Sequence, residues 1–105
     1  PPAEIGHAFY KYYAFVRPEY LKHGWDRDQI MNAIVAEGIP CFSGSCSEIY
    51  LEKAFTDLGL GPSARLPVAK VLGETSLMFL VHPTLTVNDM RDTCKAVEKV
   101  FHKAV

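Results

Sequence analysis

At 105 residues the chain has room for one domain with a single core, which excludes a multidomain enzyme within its bounds. With 49% hydrophobic residues it is neither wholly disordered nor fibrous. Eleven Lys and Arg against twelve Asp and Glu leave a net charge of −1, so it lacks the positive field that nonspecific nucleic-acid binding needs.

In chain order, Phe9-Tyr10-Lys11-Tyr12-Tyr13-Ala14-Phe15-Val16 is aromatic and β-branched and predicts a strand that Arg17-Pro18 ends. Asp26 with Gln29 three positions on forms a capping-box pattern, and Ile30, Ala33 and Ile34 then share one face of a helix over Arg27–Glu37 that Gly38 stops. Ile39-Pro40-Cys41-Phe42 reads as an edge strand, because Pro40 cannot donate to a ladder. Ser43-Gly44-Ser45-Cys46-Ser47 is a small-residue loop, from which Ser47 is expected to cap a short helix through Glu48, Leu51 and Phe55.

Gly59 to Ser63 is a connector, and Leu66-Pro67-Val68-Ala69-Lys70-Val71-Leu72 predicts a short helix ending near Gly73. The continuous apolar run Ser76 to Val81, bounded by His82-Pro83, has the pattern of a central strand buried on both faces. Thr86 and Asp89 open a last helix whose core face is expected to carry Val87, Met90, Cys94, Val97 and Phe101. This order predicts a two-layer α+β sandwich, a small antiparallel or mixed sheet with helices on one face, ferredoxin-like in topology.

No apolar run approaches the ~18–20 residues of a membrane span, and Pro1-Pro2-Ala3-Glu4 lacks the layout of a signal peptide. A cytoplasmic protein without membrane or nucleic-acid partners is expected. Cys41, Cys46 and Cys94 are an odd number, which favours reduced thiols over a disulfide framework. The chain opens on Pro1 without an initiating Met and is expected to be a fragment of something longer or a processed chain.

Candidate chemistry is sparse. Cys41 and Cys46 are five positions apart, and His7, His23, His82 and His102 are scattered, so no zinc-type ligand pair forms and no metal is expected. Cys46 precedes an expected helix N-terminus, which favours a thiolate, but no His base flanks it; it reads as a small residue chosen to fit before it reads as a nucleophile. Cys41 and Cys94 lie in apolar patterns and are expected in the core. The Ser43–Ser47 loop is either a plain connector or a cradle for a ligand's phosphate or sugar hydroxyl; it lacks the Lys of a nucleotide-hydrolysing phosphate loop. His7, with Tyr10, Tyr12 and Tyr13, reads as the head of a half-buried strand, and His82 as a turn histidine. No catalytic constellation is complete.

Four blocks in order carry a family resemblance. His7-Ala8-Phe9-Tyr10-Lys11-Tyr12 resembles the His-Ala-Tyr-His-x-Tyr strand that opens the small C-terminal domain of DegT/StrS-type sugar-nucleotide aminotransferases. Glu37-Gly38-Ile39-Pro40 is similar to that domain's Gly-Ile-Pro turn, Leu66-Pro67-Val68-Ala69 to its Pro-Val-Ala helix start, and His82-Pro83-Thr84-Leu85-Thr86 to its His-Pro-Thr-Leu-Thr segment. The resemblance runs from about His7 to Phe101.

It implies the small domain of a pyridoxal phosphate enzyme that moves an amino group from glutamate onto a keto-sugar nucleotide, as in surface polysaccharide synthesis. The family's Schiff-base Lys and most of its phosphate contacts lie in an N-terminal large domain that this chain lacks, so no catalytic residue is assigned here and the fragment alone is expected to be inactive. The full-length protein is expected to be a homodimer. By carry-over His7, Tyr10, Ser43, Gly44, Ser45 and Cys46 line a substrate pocket that the large domain completes. Two segments depart from the family pattern. Cys41 to Cys46 replaces a His-Tyr-Pro segment and leaves the sugar open, and Phe79-Leu80 replaces Leu-Pro. The alternatives are a free-standing regulatory α+β module binding a small metabolite, and a thiol enzyme using Cys46.

Overall fold

The computed structural model describes residues 2–105; Pro1 lies outside them. The strands are β1 (Lys11–Phe15), β2 (Cys41–Phe42) and β3 (Ser76–Leu80), and the helices are α1 (Arg27–Ala36), α2 (Lys53–Thr56), α3 (Pro67–Thr75) and α4 (Val87–Ala104). Single 3-10 turns occupy Pro18–Tyr20 and Ile49–Leu51. Among the described residues the strands form one sheet in the order β1-β3-β2, with both pairings antiparallel. The strand that is last in the chain is therefore the middle one, and β1 and β2 flank it in the split β-α-β manner of ferredoxin-like folds. The expected α+β sandwich is the observed class.

Local chemistry explains the borders of the elements. The Asp26 carboxylate accepts from Gln29 N at 2.8 Å and Gln29 Oε1 accepts from Asp26 N at 3.0 Å, so the capping box that starts α1 is complete. At its other end Gly38 has φ +86°, a left-handed conformation that only glycine adopts cheaply. Gly38 N bonds Val35 O and Ile39 N bonds Ile34 O, the double closure of a Schellman turn. Thr86 and Asp89 make a second capping box for α4, and the bonds from Thr86 hold the Asp89 carboxyl below the usual carboxylate range.

Pairing fixes the two faces of the sheet. Leu77 opposite Ala14, and Phe79 opposite Tyr12 and Cys41, turn toward α1 and α4. There Val16, Ile30, Ile34, Cys41, Leu77, Val100 and Ala104 form the core, and burial pushes the Cys41 thiol up. On the other face Met78 is buried between Tyr13 and Phe42, which remain exposed, as do Phe15 and Leu80. Among the described residues only α3 approaches that face, at its edge through Leu72, and β1 is consequently less buried than a core strand. The radius of gyration, 16.4 Å, exceeds the roughly 13 Å of a self-contained domain of this length.

The buried stripe of α4 differs from the expected one. It is Ala96, Val100 and Ala104, with Val97 and Phe101 packed at its flank, whereas Val87, Met90 and Cys94 are exposed. At about 1.5 Å per residue α4 is roughly 27 Å long and α1 roughly 15 Å, so the first half of α4 runs past the helix it packs on. Small alanines at the contact let the helices approach closely. Cys94 is thus a surface thiol rather than a core residue.

Truncating Ile34, which is fully buried, to Ala is expected to cost about 2–5 kcal/mol in urea unfolding. Cys94→Ala is expected to stay within about 0.5 kcal/mol of the parent, and a larger loss would restore the apolar stripe read from the sequence.

Candidate functional site

The small-residue loop after β2 folds back over the open face of the sheet. Gly44, at φ +92°, passes so close that a Cβ there would sit 3.0 Å from Tyr13 Cε1 and 3.1 Å from Ser76 Oγ. Both the close approach and the left-handed backbone call for glycine. Tyr13 Oη and Ser45 Oγ share a hydrogen bond at 2.8 Å, and Ser76 Oγ donates to Ser43 O at 2.6 Å. Ser47 lies against Gly73 in α3, where an added Cβ would collide with Ser47 Oγ.

These contacts leave an open groove of about 510 Å3 between the loop and α3. Ser43, Gly44, Ser45 and Cys46 all line it, so the four loop residues singled out from sequence share one concavity, together with Glu48, Glu52, Gly73 and Glu74. A smaller pocket of about 190 Å3, lined by Tyr13, Phe15 and Leu72 with the loop, continues it over the open sheet face. His7 and Tyr10 lie outside both linings, beyond the opposite end of β1. His7 Nδ1 accepts from Phe9 N at 2.8 Å, which goes with a left-handed Phe9 at φ +46°, and Tyr10 is 82% exposed. His82 Nδ1 bonds Thr84 Oγ1 and Thr84 N, the turn histidine expected before Pro83.

Ser47 caps no helix. The chain takes a 3-10 turn at Ile49–Leu51, and α2 begins only after Glu52. The residue that organises this corner is Glu48, which the sequence reading passed over. Its carboxylate accepts Arg65 Nε at 2.8 Å and Tyr50 Oη at 2.6 Å, and Arg65 Nη2 completes a bidentate pair. Tyr50 Oη in turn accepts Leu66 N at 2.9 Å, at the start of α3. The Arg65 bonds, then that from Tyr50, lower the Glu48 carboxyl to about 2; burial and the same carboxylate push the Tyr50 phenol up.

The groove is thus rich in hydroxyls and carboxylates. Glu74 lies 3.7 Å from Arg65 Nη2, and Glu52 Oε1 accepts from the Cys46 thiol at 3.5 Å. A carboxylate, rather than an imidazole, is the partner of Cys46, and it is a weaker base toward a thiol. Neither Lys nor Arg is among the residues that line the groove, and the nearest cation, Arg65, is engaged by Glu48 and Glu74 of its wall. Among the described residues no cluster of His, Cys, Asp or Glu could hold a metal, and no helix is long and apolar enough to cross a membrane.

The chain thus presents a split β-α-β sheet with a helical core on one side and an open groove on the other. The chain is 57% identical, with a TM-score of 0.88, to part of the solved X-ray structure of the aminotransferase from Psychrobacter cryohalolentis. The match covers 92% of this chain and 25% of that one, so the chain spans about a quarter of the aminotransferase it resembles. Neither a protein-family model nor a curated protein matches the chain.

Two outcomes follow from the groove. Gly73→Ala is expected to push Ser47 out of place, and adding Ser47→Ala should reverse the loss and leave the double variant about 0.5–1 kcal/mol above the parent, the ordinary gain of Ala over Gly in a helix; a double-mutant cycle in urea reads it. The Glu48 carboxyl titrates at about 2 in the fold against an ordinary 4.5, so its stabilising contribution is present above pH 4.5 and is lost as the pH falls through about 2. Unfolding midpoints measured across that window should fall less steeply in Glu48→Gln than in the parent.

Proposed function

We propose that the chain is the substrate-shaping C-terminal domain of a pyridoxal phosphate-dependent aminotransferase of the DegT/StrS type, acting in the cytoplasm on a keto-sugar nucleotide with glutamate as amino donor. The observation that carries this reading is the 57% identity with an aminotransferase of which the chain spans a quarter. The four sequence blocks that resemble the DegT/StrS small domain supply the finer class.

Pyridoxal phosphate, when bound, supplies the electron sink for amino transfer. The residues lining the groove do not suit that group. The groove has no lysine for a Schiff base and no cation for a phosphate, and three glutamates face it. The cofactor's contacts are accordingly assigned to a larger N-terminal part of a homodimeric protein.

What this chain contributes is positioning. Ser43 and Ser45 hydroxyls, the backbone of Gly44 and the Glu52 and Glu74 carboxylates can exchange hydrogen bonds with sugar hydroxyls, while the carboxylates keep the anionic nucleotide phosphates away from this wall. Tyr13 and Phe15 beside the groove present flat apolar surface suited to a sugar ring face. His7 and Tyr10, exposed beyond the far end of β1, are left for the larger part to meet. The uncovered sheet face and the expanded radius of gyration support a domain that packs against further protein.

The chain alone, mixed with pyridoxal phosphate, is expected to develop no absorbance band near-stoichiometric with protein. The whole protein that carries it is expected to bind the cofactor and to aminate a keto-sugar nucleotide at the expense of glutamate. Failure across a broad panel of keto-sugar nucleotides, with cofactor bound, would count against the substrate class.

A further inference from the structure

We propose that Arg27 is a positioning residue for substrate, one that sets the width of the groove by bonding both of its walls; this rests on the reading of Ser43–Cys46 as substrate-lining. A cation at the first position of α1 opposes the helix dipole, so its helix gains nothing from it. Its side chain is only 15% exposed and is turned inward.

Three segments meet at a single nitrogen. Arg27 Nη1 donates to Gly73 O at 3.1 Å, to Ser76 O at 3.0 Å and, at a longer 3.4 Å, to Ser43 O. Each of these carbonyls has reason to want a donor. Gly73 O is among the last four carbonyls of α3, which a helix leaves unbonded and which carry the negative end of its dipole. Ser76 O stands where β3 loses its neighbour, because β2 pairs only through Cys41 and Phe42. Ser43 O, the first carbonyl of the loop after that strand, already accepts from Ser76 Oγ, and its second lone pair is left for Arg27.

Gly73 and Ser43 belong to opposite walls of the groove, so one guanidinium fixes their separation. Asp28 Oδ1 accepts from Arg27 Nε at 2.6 Å and holds the guanidinium plane in place. A lysine at this position would keep the charge but lose the second donor, Nε, that Asp28 uses to orient the head group, and so would hold the carbonyls less firmly. The substrate never needs to touch Arg27. Its influence passes through Ser43 and Gly73.

The chain's three cysteines report on this directly. Cys46 is exposed on the loop with its thiol held by Glu52, so loosening of the loop would free it from that carboxylate, whereas Cys41 lies in the core and Cys94 is exposed on α4. Arg27→Met and Arg27→Lys would be made in the whole protein that carries this chain, and alkylation by iodoacetamide followed at each cysteine by peptide mass spectrometry. In Arg27→Met, Cys46 is expected to label about fivefold faster than in the parent while Cys41 stays protected, with Arg27→Lys between the two. An unchanged Cys46 rate, or Cys46 and Cys41 rising together in both variants, overturns the proposal in favour of a general support role.

Steady-state kinetics in the same proteins should show KM for the keto-sugar nucleotide raised about tenfold in Arg27→Met with kcat little changed. Selective loosening at Cys46 with KM unmoved would keep Arg27 as the anchor of the loop and overturn the substrate-lining reading on which the proposal rests.

Discussion

The guanidinium of Arg27 stands where four pieces of chain converge: the start of α1, the loop after β2, the last turn of α3 and the first residue of β3. A helix end, a strand losing its partner and a loop leaving the sheet would each expose carbonyls at this corner. An unpaired buried carbonyl costs free energy comparable to a lost hydrogen bond. One planar cation reaches all three, helped at Ser43 O by the Ser76 hydroxyl, and it is held by a neighbouring carboxylate. The Glu48–Arg65–Tyr50 cluster does the same at the outer end of α3, binding the turn at residues 49–51 to the start of that helix. Between these two polar clusters α3 and the loop are held at a fixed distance, with the groove between them.

The apolar bookkeeping is one-sided. The helix face of the sheet has a true core around Ile30, Ile34 and Leu77, while the opposite face offers Tyr13, Phe15, Phe42 and Leu80 to solvent. Contiguous aromatic and aliphatic surface of this kind is uncommon on a self-sufficient protein and common on a part of one. The loop and groove lie on this same face. A substrate entering the groove would meet the hydroxyls and carboxylates of this chain on one side, and in the proposed enzyme the larger part on the other.

Much of the fold was legible in the sequence because local chemistry dictates it. Asp26 with Gln29, Thr86 with Asp89 and the Gly38 stop are short-range signals whose partners lie within a few residues, and all three hold in the structure. The continuous run at Ser76 likewise marked the central strand. What failed depends on distant partners. The apolar stripe of α4 is decided by where the shorter α1 ends, which periodicity along α4 cannot encode. Ser47 looked like a cap, yet it packs against Gly73 across 26 positions of sequence. The loop residues Ser43 to Cys46 do line one groove, whereas His7 and Tyr10 lie apart from it. Arg27 and Glu48 were read as helix residues and Tyr13 as a strand residue only. For Arg27 a signal existed: a basic residue in the first turn, against the dipole, is a reason to look for a tertiary partner.

The strand order also constrains when the sheet can exist. Because β3 lies between β1 and β2, neither flanking strand has a hydrogen-bonding partner until Ser76–Leu80 has been made. On the ribosome, roughly the first three quarters of the chain must wait with Tyr12, Tyr13, Phe15 and Phe42 unpaired, and the acceptors of Arg27 at Gly73 and Ser76 arrive only then. Arrival of the central strand therefore closes the sheet, the groove and the Arg27 corner in one step, which makes the interval before it the chain's main exposure to aggregation and to capture by chaperones.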